Sequence, residues 1–334
     1  MAFTDSTIHS AIPDAIRARN LRLSVNELLR KNLGQSIEIA RKVFPSQAGA
    51  ATEILKKLDP ARHISPKIFV LHWQLTSALR EQNAAQASIA LSHLAEAVRR
   101  EILHADSFTV STIEWDEIDA ATVQYLCRTD GPRGSNGEIP EMLPLRRSDY
   151  DNFVVATQEA LALLLKAHPE MYGEFQELVT SIRLYEPRHV GSMSSPRSFG
   201  VMYIYKPHTE DSLKDLPLYY LNHITHETSH IALNAVMTQG KLILNDPSER
   251  FSSPVRPDAR PMDGVYHAAF VLSRVALVQS QPIVKERPAT AETQETTLKS
   301  FWAAYETVAA HGKLTEAGQQ VIESCRELVE SLEA

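Results

Sequence analysis

A histidine pair four residues apart, set in a stretch with helical apolar periodicity, constrains this chain more than any other feature. Tyr219 to His230 reads Tyr-Tyr-Leu-Asn-His-Ile-Thr-His-Glu-Thr-Ser-His, and its last five residues form H-E-x-x-H. On an α-helix, His226 and His230 fall within about 40° of each other and one turn apart, which lets two imidazoles reach one metal ion. Tyr219, His223, Leu233 and Met237 share that side, and Leu221, Ile224, Ile231 and Ala235 form an apolar stripe on the other. Such a stretch calls for a helix with one face in a core and the other on a cavity.

The rest of the chain supplies that core. With 334 residues, 43% hydrophobic and 22% charged, it has the size and balance of an ordinary globular protein of one large domain or two modest ones. A net charge of −7 gives no basic footprint for nucleic acid and argues weakly against anionic membranes. The first residues, Met1-Ala2-Phe3-Thr4-Asp5-Ser6-Thr7, show no secretory signal, and no later run is apolar enough to span a bilayer, so a cytoplasmic protein is expected. Only Cys127 and Cys325 are present. Neither a disulfide framework nor a thiolate cluster can be built from them, so any metal must rest on nitrogen and oxygen.

The periodicity predicts a mainly α fold with a small β element, an α+β arrangement in which the motif helix packs among other helices. Helices are expected at Val25–Phe44, Ala50–Leu58, Lys67–Leu79 and Ala84–Ile102, punctuated by Pro45, Pro60 and Pro66. His63, His72 and His93 in this region read as packing or surface residues. Phe108–Trp115 is a weak strand, and Thr129–Gly137 a turn-rich stretch that serves as connector, boundary or flap. Helices follow at Ser148–Ala167 and Glu170–Ile182, then strands at Arg183–Tyr185 and Phe199–Tyr205. The motif helix is expected from Asp211 to Thr238, another from an Asp263 N-cap to Ser280, a linker at Pro282–Pro288, and final helices at Thr290–His311 and Thr315–Leu332. The organisation expected from these segments is a helical docking or packing region at 1–128, a loop or linker at 129–147, and a catalytic region at 148–334.

Two histidines hold a reactive metal poorly, and a third ligand is needed with positions left open. The residues offer His267, Glu249 and Glu227. In a zinc metallopeptidase Glu227 would be the catalytic base on a metal-bound water. The compact peptidase form fails, because Leu233 and Val236 stand where Gly and His belong, and Glu249 lies in a loop-like stretch instead of a second helix.

Paired with His226-Glu227-Thr228-Ser229-His230, the block from Ser253 to Val271, S-P-x-R-x-D-x-R-P-x-x-G-x-x-H, resembles the H-E-x-x-H family of peptide-modification proteins. The resemblance covers about residues 183–278, and Val255 departs from it where an aromatic is expected. It implies an Fe(II)- and 2-oxoglutarate-dependent dioxygenase that hydroxylates a peptide side chain at Cβ, in the maturation of a ribosomally made peptide. It implies His226, His230 and His267 as iron ligands, with Glu227 orienting a ligand or meeting substrate. Either Arg256 or Arg260 would take the distal carboxylate of 2-oxoglutarate, and O₂ would be the oxidant. The expected partner is a peptide substrate, with the N-terminal helices free to recognise its leader segment or a second copy of the chain. The other readings are a zinc-dependent peptidase and a non-enzymatic helical module with a structural metal.

Overall fold

The computed structural model describes residues 8–113, 117–130, 139–188, 191–254 and 256–334. Over these residues the chain is mostly helical with a small sheet, as its periodicity predicts. In order come α1 (Ala15–Arg41), α2 (Pro45–Lys57), α3 (Pro66–Arg80), α4 (Ala84–Arg99), β1 (Thr109–Thr112), α5 (Glu117–Thr129) and β2 (Glu141–Pro144). Next are α6 (Arg147–Ala167), α7 (Pro169–Leu178), β3 (Ser181–Arg188), β4 (Met193–Ser194), β5 (Val201–Tyr205), α8 (Glu210–Lys214) and α9 (Leu216–Met237). The chain continues with β6 (Phe251–Ser253), β7 (Arg256–Arg260), α10 (Met262–Gln279), α11 (Pro282–Lys285), α12 (Thr290–His311) and α13 (Glu316–Glu333). Contacts gather the chain into two compact units, one of Asn20–Val154 with Leu178–Lys206, the other of Met1–Arg19, Val155–Glu177 and Pro207–Ala334.

The first unit holds the sheet, in the order β1-β3-β5-β4 with β1, β3 and β5 parallel. Tyr185 pairs with both Pro144 and Tyr205, so β2 lies along the edge of β3 that β1 also uses. Four of the five residues of β5 are buried, the pattern of a parallel strand covered on both faces. Val70, Val123, Leu126, Cys127 and Tyr203 fill the core beside it. Gly200 takes φ 93° just before β5, and its carbonyl accepts from both the Thr180 N–H and the Thr180 hydroxyl. A side chain there would be strained by the left-handed backbone. Prolines open α2 and α3 at the first helical position, where the missing N–H is harmless, and Asn83 caps α4 by accepting from the Gln86 N–H.

Some boundaries differ from expectation. The helix expected to reach Ile182 stops at Leu178, because Ser181 and Ile182 are taken into the parallel ladder. The strand expected at Phe108–Trp115 is confined to Thr109–Thr112, and Glu114 and Trp115 lie outside the described residues. So do residues 131–138, most of the expected turn-rich stretch, while Glu141–Pro144 beyond it forms β2.

The second unit is built around α10. That helix is buried on nearly every face, as a helix apolar all round must be. It packs against α9, α12 and α13. The expected stripe of α9, Leu221, Ile224, Ile231 and Ala235, is fully buried. The motif helix does not begin at Asp211, since α8 ends at Lys214 and Asp215 caps α9, its Oδ1 accepting from the Leu218 N–H at 3.0 Å. Pro217 enforces the break: it tolerates the first turn of a helix but not an interior position. Asp263 is not the N-cap of α10. Pro261 holds that place and Asp263 falls in the first turn, where a carboxylate suits the helix dipole. Pro282–Lys285, expected as linker, turns once as α11. Among the described residues no helix is long and apolar enough to cross a membrane.

Candidate metal centre

α9 and the first turns of α10 bring His226, His230 and His267 together. His230 lies between the other two: its Nε2 is 3.2 Å from His226 Nε2, and its Nδ1 is 3.1 Å from His267 Nδ1. The rings of His230 and His267 stack at 5.3 Å, and those of His226 and His230 meet edge to face at 4.8 Å. Two imidazole nitrogens on one ion, each bonded at about 2.0–2.1 Å, stand roughly 2.9–3.4 Å apart. The observed spacing falls within that window.

Orientation does not follow spacing all the way. His230 offers a different nitrogen to each neighbour, so as placed the three rings do not aim at one point, and among the described residues no three His, Cys, Asp or Glu groups are arranged to hold an ion. The donor set fits a divalent first-row metal in type and separation. A shared ion requires one of these rings to turn.

Burial keeps the imidazoles neutral. It pushes His226 down to about 4, and pushes His230 well below its ordinary value, with the neighbouring His226, His267 and Arg260 charges adding to the effect. His267 is also lowered by burial, against an opposing pull from Asp263. His223, one turn before His226, is lowered to about 3 by burial and by His226, and packs on the Tyr219 ring at 4.4 Å. Neutral imidazole is the form that binds metal.

Arg260 ends β7 just before α10, and its guanidinium lies against Gly264 in the first turn, one turn before His267. Gly264 makes room for it: a Cβ at that position would sit 3.3 Å from Arg260 Nε. Arg260 is half-buried and has no hydrogen bond or ion pair among the described residues, yet its charge reaches both His230 and His267. The other expected arginine, Arg256, opens β7, and its side chain lies outside the described residues, as does Val255. Glu227 is 2% exposed on α9. Glu249 is engaged elsewhere: its carboxylate accepts from Asn245 Nδ2, the Asp246 N–H and Lys313 Nζ, the last at 2.9 Å.

The sequence reading missed what holds α9 against α10. Arg274, two turns beyond His267, is 0% exposed. Its Nε donates at 3.1 Å to the hydroxyl of Ser229, inside the motif, and that hydroxyl donates to the Thr225 carbonyl at 2.7 Å. Its Nη2 pairs with Glu174, which also meets Arg17 at 3.5 Å, and its Nη1 donates to the Ala11 carbonyl. The register of the two histidine-bearing helices is thus fixed by a buried charge. The signal was present: a lone arginine in the apolar run from Ala268 to Val278 needs a buried partner.

α10 packs on both α9 and α12, and a cavity of about 800 Å³ opens above it between those two. Leu272, Val275 and Gln279 form its floor, Asn222, His223 and His226 one wall, and Glu292, Thr293, Thr296 and Thr297 the other. His226 therefore faces a space large enough for part of an extended chain. No known protein-family pattern matches this chain and no curated protein is detectably similar to it in sequence, so the resemblance over residues 183–278 rests on those residues alone.

Proposed function

We propose that the chain is an Fe(II)- and 2-oxoglutarate-dependent hydroxylase of a peptide side chain, acting at Cβ in the maturation of a ribosomally made peptide. The observation that carries this reading is the meeting of three neutral imidazoles from two helices beside an arginine that is unpaired among the described residues. His226, His230 and His267 would hold the metal, leaving positions open for a bidentate 2-oxoacid and O₂. Arg260 would take the distal carboxylate through its planar fork, since it is half-buried, cationic and without a carboxylate partner among the described residues. When bound, Fe(II) with 2-oxoglutarate and O₂ supplies the oxidising power to place an oxygen on an unactivated C–H bond. The chain's own part is positional: α9 and α10 set the imidazoles, the cleft holds the peptide against His226, and Glu227, buried on α9, orients a ligand.

A glutamate-type zinc peptidase loses its third ligand, because Glu249 is bound to Lys313 and Asn245. Reconstitution of the anaerobically purified chain with Fe(II), followed by 2-oxoglutarate, O₂ and peptide, should release succinate and leave a hydroxylated peptide. His267→Ala should lower Fe(II) affinity by at least ~100-fold, more than loss of an outer partner costs. Peptide cleavage with strict zinc dependence, abolished in Glu227→Gln with metal retained, would replace the hydroxylase with the peptidase.

A further inference from the structure

Asn222 and Gln279 sit where the cleft meets α9 and α10, and their side chains bond to each other, Gln279 Nε2 donating to Asn222 Oδ1 at 3.1 Å. Gln279 is 2% exposed, and its Oε1 is buried with no partner among the described residues. Asn222 Nδ2 likewise has none. One acceptor and one donor are thus left side by side in the cleft. Reversing one amide alone would break the bond between them, and if both are reversed Asn222 donates to Gln279 and the pair again leaves one donor and one acceptor.

One residue of an extended peptide complements such a pair, because its own N–H and C=O point to the same side, the first donating and the second accepting. A buried carboxamide oxygen left unmatched is costly, so the site favours an occupant that brings the missing donor. Ionised carboxylates and phosphates bring acceptors without the donor that Gln279 Oε1 lacks.

We infer that Asn222 and Gln279 clamp the N–H and C=O of one residue of the substrate peptide and so set which residue is presented to the metal centre. This deepens the peptide-hydroxylase reading and rests on it for the word substrate. Asn222 is one helical turn, about 6 Å, before His226 on α9. An extended peptide advances about 3.3 Å per residue, so the residue opposite His226 lies within two positions of the clamped one. Selection is by register along the main chain, and the side chain at the clamped position is left unread.

Short random peptides displayed on their encoding RNA can be selected for binding to the full-length chain, without metal or co-substrate. The best binder is then remade with each amide replaced in turn by an ester, which removes the N–H and weakens the carbonyl. On the wild-type chain the esters away from the clamp should be near neutral, the one that weakens the clamped residue's carbonyl should cost a little, and the one that removes its N–H should weaken binding by ~10-fold or more. In Gln279→Met the same ester should cost less than about twofold, the mark of a direct pairwise contact. Asn222→Leu, at a half-buried position, repeats the cycle with the ester that weakens the carbonyl should Gln279→Met fail to fold. A flat ester scan on the wild-type chain, no selectable binder, or an ester penalty unchanged in both variants overturns the clamp. Succinate release is measured separately, so a chain that shows the clamp but makes no succinate sinks the hydroxylase and leaves the peptide site.

Discussion

Two polar clusters lie between the same pair of helices and have opposite characters. The Arg274 cluster is closed: its guanidinium meets Glu174, Ser229, Met171 and the Ala11 carbonyl, all within the core. The histidine cluster is open. His230 can satisfy both of its nitrogens on its neighbours, but His226 Nδ1, His267 Nε2 and the Arg260 guanidinium have no partner among the described residues. Polar groups that answer only to one another hold a fold in register, whereas polar groups left with unused valence at a cleft are placed for something that arrives later.

The sharpest way to break that contrast is to remove one partner from each cluster and compare. Glu174→Ala strands Arg274 in the core and should lower unfolding stability in urea by ~3–5 kcal/mol. His226→Ala should change it by no more than about 1 kcal/mol. Equal losses would erase the distinction between the two clusters.

A second comparison uses a histidine that belongs to packing. His72 is 7% exposed, meets the Thr76 hydroxyl at 3.3 Å, and is lowered by burial to about 4 from 6.5. A folded-state pKa below the unfolded one means that the unfolded chain binds the extra proton. Stability is therefore complete above about pH 6.5, is lost as pH falls toward about 4, and levels off below it. The loss amounts to ~3 kcal/mol at most. His72→Phe should flatten the acid limb of stability against pH over that window, and an unchanged limb would assign it to the site histidines instead.

Smaller effects separate the parts of the open cluster. Arg260→Leu should raise the 2-oxoglutarate KM by ~10–100-fold with Fe(II) affinity retained, and Arg260→Lys should recover part of it. If both variants bind 2-oxoglutarate normally, the cation is supplied elsewhere. Ser229→Ala removes the hydrogen bond from Arg274 that ties the motif to the core and one bond to Thr225 within α9, and should cost ~1–2 kcal/mol in urea, with a loosened Fe(II) site as its further readout.

Much of the site was legible because it depends on local periodicity. The four-residue spacing of His226 and His230 needs only a helix, and the prolines before His267 mark where the next one starts. What escaped depends on pairing across distance. The parallel ladder of β1, β3 and β5 joins segments of four to eight residues whose own pattern is too short to reveal partners. Asn222 and Gln279 are unremarkable apart and acquire meaning only when α9 and α10 lie together. The start of α9 was legible but overlooked, since Asp215 followed by Pro217 is a cap and first-turn signature.

Asp215 also reaches beyond its own helix. The carboxylate that caps α9 receives Arg287 Nε at 2.7 Å, just before α12 begins, so the two walls of the cleft are riveted together at their N-terminal ends. Rods joined at one end part like tweezers, least at the joint and most toward the tips. A bulky guest would enter this groove from the free end, and the rivet decides which way it must thread.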